Sequence, residues 1–442
     1  MTANPKIIVL DDDPTGSQTV HSCLLLTRWD TDTLRVGLQD NSPIFFVLTN
    51  TRALPKESAA AVTQEVCQNL KEALKAEEIK DFLVVSRSDS TLRGHYPIET
   101  DVIAEELGPF DAHFLVPAFF EGGRITRDSI HYLIINGTPI PVHETEFARD
   151  SVFAYHYSYL PKYVEEKTQG QIPETAIARF LLSDIRAGSL ESLLKLQNNQ
   201  CGVVDGETQA DLDKFAQDLL TAASQGKRFL LRSAASILTA LAALPPQQVA
   251  AEDMAQYVRG GKPGAVIVGS HVKKSTQQLE SLLQQDGTEG IEVDVAQLLE
   301  HNLNSSAKLL SHVLKNIHAA HNAGKTPVIY TSRKELTFKD TNTRLEFGTQ
   351  VSTLLMDVVK GLPSDIGFLI SKGGITSNDV LSTGLSLTTA RLLGQILAGC
   401  SMVRTPANHP QFPDLPVVLF PGNVGDANSL ATVYQRLSKK FE

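Results

Sequence analysis

Ile7-Ile8-Val9-Leu10-Asp11-Asp12-Asp13-Pro14-Thr15-Gly16 runs from four apolar residues straight into three adjacent carboxylates. An apolar run without alternation fits a strand covered on both faces, the pattern of a parallel α/β sheet. In such sheets ligands collect at the carboxyl ends of the strands. Three neighbouring carboxylates repel one another, so their company makes sense if a cation, a sugar hydroxyl or a proton in transit is shared among them. A solvated acidic turn shaped by Pro14 and Gly16 fits these residues equally well.

The same grammar recurs downstream. Apolar runs at 44–48, 82–85, 202–204 and 229–231 each end in polar residues, a strand at 113–116 leads into Pro117-Ala118-Phe119-Phe120-Glu121, and a further apolar segment spans 23–27. Residues 58–76 carry apolar side chains at helical spacing, and another helix begins near Gln209. The loop after the 82–85 run is the most polar of the first half: Ser86-Arg87-Ser88-Asp89-Ser90-Thr91-Leu92-Arg93-Gly94. Its hydroxyls, carboxylate and guanidiniums suit a polyhydroxylated acid, with Arg able to clamp a carboxylate through two parallel hydrogen bonds. Capping of a helix restarted by Pro97 is the plainer reading of Ser88 and Asp89. The loop after the 113–116 strand, ending in Gly122-Gly123-Arg124, offers close backbone approach and a cation for an anion. Residues 142–173 have no clear period and read as an irregular insertion.

Strand, polar loop and helix in repetition predict βαβ units. With 442 residues the chain is too long for one ordinary core. The expected architecture is therefore α/β with two domains, each a mostly parallel sheet flanked by helices: 1–245, a Pro- and Gly-rich linker over 246–264, and 265–442. In the second domain strands are expected at 265–268, 327–330, 367–370 and 417–420. Helices are expected at 275–283, 305–320, 343–360 and 387–397. Its loops are rich in glycine: Gly269-Ser270-His271, Ser371-Lys372-Gly373-Gly374-Ile375-Thr376 and Pro421-Gly422-Asn423-Val424-Gly425-Asp426. Glycines directly after buried strands let backbone N–H groups face a phosphate.

Composition excludes several classes. A net charge of −10 disfavours a nucleic-acid partner, which needs clustered Lys and Arg. No apolar run approaches the length of a membrane span and no signal-like leader opens the chain, so a cytoplasmic protein is expected. The four cysteines have no paired spacing and read as reduced, buried thiols. The histidines are too dispersed for a metal box, and the metal ligands, if any, are unknown. Gly324-Lys325-Thr326 mimics the end of a P-loop, but a strand follows it instead of preceding it.

Taken together, the loops resemble the four-carbon acid sugar kinase family, in which a sugar-binding domain precedes a nucleotide-binding domain. The resemblance rests on Asp12-Asp13-Pro14-Thr15-Gly16, Asp89-Ser90-Thr91-Leu92-Arg93-Gly94, Pro117-Ala118-Phe119 with Gly123-Arg124, and Gly137-Thr138-Pro139-Ile140. In the second half it rests on Gly269-Ser270, Gly373-Gly374-Ile375-Thr376 and Gly422-Asn423-Val424-Gly425. It implies ATP-dependent phosphorylation of the terminal hydroxyl of a threonate, erythronate or oxo-tetronate, with Mg2+ and a closure that excludes water. The implied sugar-acid site comprises Asp89, Ser90, Thr91, Arg93, Gly123 and Arg124, with Asp13 as base and Asp12 accepting hydroxyl hydrogen bonds beside it. The implied nucleotide site comprises Ser270, Gly373, Gly374, Thr376, Gly422, Asn423 and Gly425. The partner is a small sugar acid, neither nucleic acid nor membrane, and a homodimer is compatible with the sequence.

Two other classes fit parts of the chain. Asp11, Asp13 and Thr15 also match the Asp-x-Asp-x-Thr pattern of haloacid-dehalogenase-like phosphohydrolases, with Asp11 as nucleophile. A non-catalytic sugar-acid sensor would bind the acid without consuming ATP.

Overall fold

Strand β1 (Lys6–Asp11) is buried along its whole length after Lys6. It runs parallel between two neighbours, with Ile8 opposite Phe45 on one side and Val84 on the other. The structure is a computed structural model that describes residues 5–439 except 271, 301–302, 334–335, 337, 339–340 and 423. The chain divides into two units, Met1–Pro245 and Pro246–Glu442.

The first unit adds β2 (Leu24–Leu26), β3 (Ile44–Leu48), β4 (Phe82–Arg87), β5 (Ala112–Val116), β6 (Arg124–Arg127), β7 (Ile130–Ile135), β8 (Thr138–Pro141), β9 (Ala178–Phe180), β10 (Gln200–Val204) and β11 (Phe229–Ser233). Its parallel strands lie in the order β2-β3-β1-β4-β11-β5-β10-β9. Strands β6-β7-β8 form a separate antiparallel sheet. One face of the parallel sheet, with Ile8, Leu10, Phe45 and Val84, packs on Leu34, Val66, Leu70 and Ile103. Those four come from the helices Thr31–Gln39, Lys56–Ala76 and Ile98–Leu107. The helix Gln209–Ser224 covers another part, with Phe215 edge-on to Phe114. The 142–173 stretch is less irregular than expected. It holds the helix Leu160–Lys167, whose Leu160, Tyr163 and Val164 share a second apolar cluster with Leu92, Tyr96 and Leu115. Two turns of helix are too short to display a period in sequence.

The second unit contains β12 (Ala265–Val268), β13 (Thr288–Val293), β14 (Thr326–Thr331), β15 (Leu369–Lys372), β16 (Thr389–Leu397), β17 (Cys400–Arg404) and β18 (Pro416–Phe420). Their order is β13-β14-β12-β15-β18-β17-β16. The first five are parallel, and β17 and β16 are antiparallel additions. Two expectations are corrected here. Residues 387–397 are not a helix: 389–397 form β16, which turns back at Ala398-Gly399 into β17, with a register shift at Gly394, where φ is +127°. A bulge of this kind breaks the alternation that would have marked a strand. Residues 246–264 are not a free linker, because they fold onto the second unit. Met254 is fully buried in its core, the Gln247 carboxamide pairs with backbone of Gln395 at 2.7 and 3.1 Å, and Arg259 N–H donates to Gly367.

Both units repeat one connection. In the first, β2 and β3 lie on one side of β1 and β4 lies on the other; in the second, β13 and β14 lie on one side of β12 and β15 on the other. Each thus has a topological switch point, between β1 and β4 and between β12 and β15, where strand ends diverge and a ligand crevice opens.

Candidate active site

At the first switch point the acidic turn after β1 meets the polar loop after β4. Arg87 lies opposite Asp11 in register, and its Nη1 reaches one Asp11 oxygen at 3.4 Å. The other Asp11 oxygen is buried without a partner. Burial drives the Asp11 pKa up to about 7, helped by Asp12 and Asp13 and opposed by Arg87. A Cβ on Gly16 would stand 2.1 Å from both oxygens, so glycine is what lets the turn close over this acid. The phosphohydrolase reading is corrected by this geometry: the nucleophile it requires, Asp11, is wholly buried under the turn.

Asp12 is buried and held from two sides. Arg52 donates to it from Nη2 and from Nε at 3.2 Å, and Ser88 Oγ donates at 2.6 Å. Asp13 is the open member of the trio, with 22% of its side chain exposed. It accepts the Thr15 N–H at 2.8 Å, the Thr15 hydroxyl, and Arg52 Nη1 at 3.2 Å. Burial works to raise its pKa, but Arg52, Arg87 and the Thr15 hydrogen bonds outweigh burial and hold it below the usual carboxylate range.

Asp89 accepts Arg93 Nε at 2.8 Å and the Thr91 hydroxyl, with Arg52 Nη1 at 3.9 Å. Against its burial, these cations and hydrogen bonds hold its pKa well below the ordinary value. Arg93 also reaches Asp150 at 3.5 Å and lies over the Phe147 ring, so the 142–173 segment braces the loop. The bracing extends to its backbone, where Tyr155 and Tyr163 hydroxyls donate to the Thr91 and Leu92 carbonyls at 2.7 and 2.8 Å. Leu92 has φ +68°, a left-handed conformation unfavourable to its branched side chain and sustained by such contacts. Ser90 contributes its carbonyl, which accepts from His131 Nε2 at 2.8 Å while Thr126 bonds Nδ1. Burial pushes the His131 pKa down to about 4, so this histidine is neutral and structural. Gly123, at φ +73°, makes the turn into β6. Arg124 follows it, donating to the Gly122 carbonyl and lying over the Phe119 ring. Among the described residues no carboxylate is within ion-pair distance of Arg124, and its buried Nε has no acceptor.

Three members of this network are additions to the set expected from sequence. Arg52 bridges Asp12, Asp13 and Asp89. Arg232, at the end of β11, donates to Ser86 and Ser88 at 2.7 Å each and to Glu99 at 2.6 Å. Glu99 in turn accepts Thr51 Oγ1 at 2.6 Å. The signal for Arg232 was its place directly after the 229–231 apolar run, and for Arg52 its place in the polar segment that ends the 44–48 run; Glu99, inside a helix, gave none.

The second switch point gathers the glycine loops. A Cβ on Gly269 would meet Thr376 Oγ1 at 2.3 Å, and one on Gly373, at φ +120°, would meet Ser270 Cβ and Thr376 Oγ1, each at 3.2 Å. One on Gly422 would meet only Ser270 Oγ, at 4.0 Å, which leaves an open cradle between those loops. Gly374 opens the short helix Gly374–Asp379. Ser270, Gly373, Thr376 and Gly422 are therefore brought together. Gly425 instead serves a turn: its Cβ would strike Ser429 Oγ at 2.3 Å. Asn423, also expected there, lies outside the described residues. Beneath the cradle sits Lys372, fully buried, donating to the Pro421 and Gly422 carbonyls at 2.5 and 3.1 Å. Burial lowers its pKa to about 7.

Comparison with known proteins agrees with this layout. Residues 7–241 match the family profile of a sugar-binding N-terminal domain and residues 265–430 that of a nucleotide-binding C-terminal domain. The chain is 28% identical over 302 residues to a D-erythronate kinase of Heliobacterium modesticaldum, a match covering 67% of this chain and 64% of that protein. A crystallised protein of Salmonella typhimurium LT2 shares the fold at TM-score 0.71 and 18% identity, over 97% of this chain and 98% of its own. A Haemophilus influenzae protein of a domain-of-unknown-function family shares it at TM-score 0.64 and 17% identity, over 97% and 100% of the two chains. With a sugar-binding and a nucleotide-binding profile matched in the expected order, the chain belongs to the four-carbon acid sugar kinase family.

Proposed function

We propose that the protein is an ATP-dependent kinase that phosphorylates the terminal hydroxyl of a four-carbon sugar acid of the erythronate, threonate or oxo-tetronate type. The observation that carries this reading is the contrast between the two switch points. The first has carboxylates and guanidiniums locked to one another around one open carboxylate, Asp13, and one uncompensated guanidinium, Arg124. The second has an open glycine cradle over a buried amine. A sugar acid needs hydrogen-bond acceptors for its hydroxyls and a cation for its carboxylate; a triphosphate needs backbone donors and positive charge.

In this reading Arg124 and Arg93 take the substrate carboxylate, while Asp89 accepts from its hydroxyls. Asp12 positions Arg52, because it is buried with both oxygens engaged, whereas Asp13, though hydrogen-bonded, is partly exposed. Asp13 accepts the proton of the terminal hydroxyl as that oxygen bonds to the γ-phosphorus and the bond to the leaving ADP oxygen breaks. A carboxylate of low basicity suffices, because phosphoryl transfer depends on positioning and charge neutralisation more than on deprotonating power. Magnesium fits as an ion that arrives on the phosphates and draws few protein oxygens, and it would neutralise charge on the transferring group. Among the described residues no cluster of three acidic, His or Cys side chains is arranged to hold it alone.

No described helix is long and apolar enough to cross a membrane, and the four cysteines are buried and form no disulfide among the described residues. We assign the protein to the reducing cytoplasm on the cysteines. The test of the activity is 31P NMR of the protein with magnesium ATP and D-erythronate. A new phosphomonoester resonance coupled to the terminal CH2 supports the reading; ATP left intact with every four-carbon acid tried removes it.

A further inference from the structure

The two units share a strand order, so the loop that follows β14 in the second corresponds to the loop that follows β3 in the first. In the first unit that loop carries Arg52, four residues past β3, whose charge is answered by Asp12 and Asp13 from the turn after β1. In the second it carries Arg333, two residues past β14. Its Nη1 donates to the Ser270 carbonyl at 2.6 Å and its Nη2 to the Val268 carbonyl at 3.3 Å, and its guanidinium lies over the Tyr330 ring. The turn after β12 that it faces is Gly269-Ser270, which carries no acid. Among the described residues no carboxylate is within ion-pair distance of Arg333; Glu292 acts on it only from farther away. Its Nε is buried and finds no acceptor. Two neutral carbonyls fix the group in place without cancelling its charge, and the side chain is only partly buried, so a ligand can reach it.

We propose that Arg333 is the cation of the second unit that takes the polyphosphate of the nucleotide, the phosphates standing where Asp12 and Asp13 stand in the first. The proposal rests on the kinase reading for the identity of the ligand. Planar guanidinium donors suit phosphate oxygens, and this one is already oriented by Val268, Ser270 and Tyr330, so little freedom is lost on binding.

The test is binding of ATP and of adenosine, each with magnesium, to the full chain by calorimetry, for the wild type, Arg333→Gln and Arg333→Lys. ATP affinity should fall on the order of ten- to a hundredfold in Arg333→Gln, with adenosine affinity unchanged and Arg333→Lys intermediate. If Arg333→Gln does not fold, Arg333→Lys carries the same comparison. Equal losses for ATP and adenosine, or no loss for either, would overturn the assignment while leaving the kinase reading in place. A wild type that binds no ATP would overturn both.

Discussion

Asp11 and Asp13 sit two residues apart on one turn, yet their surroundings push them in opposite directions. Asp11 has one oxygen without a partner and a pKa raised to about 7 by burial, whereas Asp13 is held ionised by Arg52, Arg87 and Thr15. An unfolded aspartate titrates near 3.8, so between that value and about 7 the native chain keeps a proton on Asp11 that the unfolded chain has released. The stability contributed by Asp11 is therefore full below about pH 4 and is lost as pH rises through about 7. Urea denaturation across this range should show Asp11→Asn with a flatter dependence on pH than the wild type; identical slopes would mean that Asp11 is ionised in the folded protein. Asp13→Asn should lower turnover by about 10²-fold or more with ATP affinity retained, and turnover near wild type would move the base elsewhere. Arg124→Gln should raise the KM for the acid far more than that for ATP. The reverse split would take Arg124 out of the acid site.

At the scale of elements, two glycine turns set the chemistry. Gly16→Ala places a methyl 2.1 Å from the Asp11 carboxylate and should cost about 1–3 kcal/mol, read as a shift in the denaturation midpoint. A variant as stable as the wild type would show that the turn can open away from Asp11. Gly373→Ala adds strain at φ +120° and crowds Ser270, so it should weaken ATP binding more than acid binding. These turns were legible in sequence because each follows an apolar run at the end of a fully buried parallel strand. Strand β16 was not, since the extra residue at its bulge, Leu393, puts Leu392, Leu393, Ile396 and Leu397 at helical spacing. The network around Asp12 was only partly legible. Arg232 and Glu99 are 133 residues apart, and an isolated charged residue in sequence looks like a solvated one until the fold buries it.

For the whole molecule, the division at Pro245/Pro246 has a consequence for stability. A fragment beginning at residue 265 would lose Met254, which lies in the core of the second unit, and with it roughly 1.5–3 kcal/mol from that one side chain. The fragment 246–442 should therefore melt higher than 265–442, and equal melting would return 246–264 to the status of a tether. The repeated strand order gives each unit one switch point, one furnished with acids and guanidiniums and the other with glycines and a buried amine. That difference is the basis for assigning an acid to one and a nucleotide to the other. It is tested most directly by initial rates of ADP release from magnesium ATP in the presence of erythronate, threonate and oxo-tetronate in turn. The account predicts release that depends on one of these acids, saturates with it and is lost in Asp13→Asn; ADP release indifferent to every acid, or phosphate freed from a sugar phosphate without nucleotide, would contradict it.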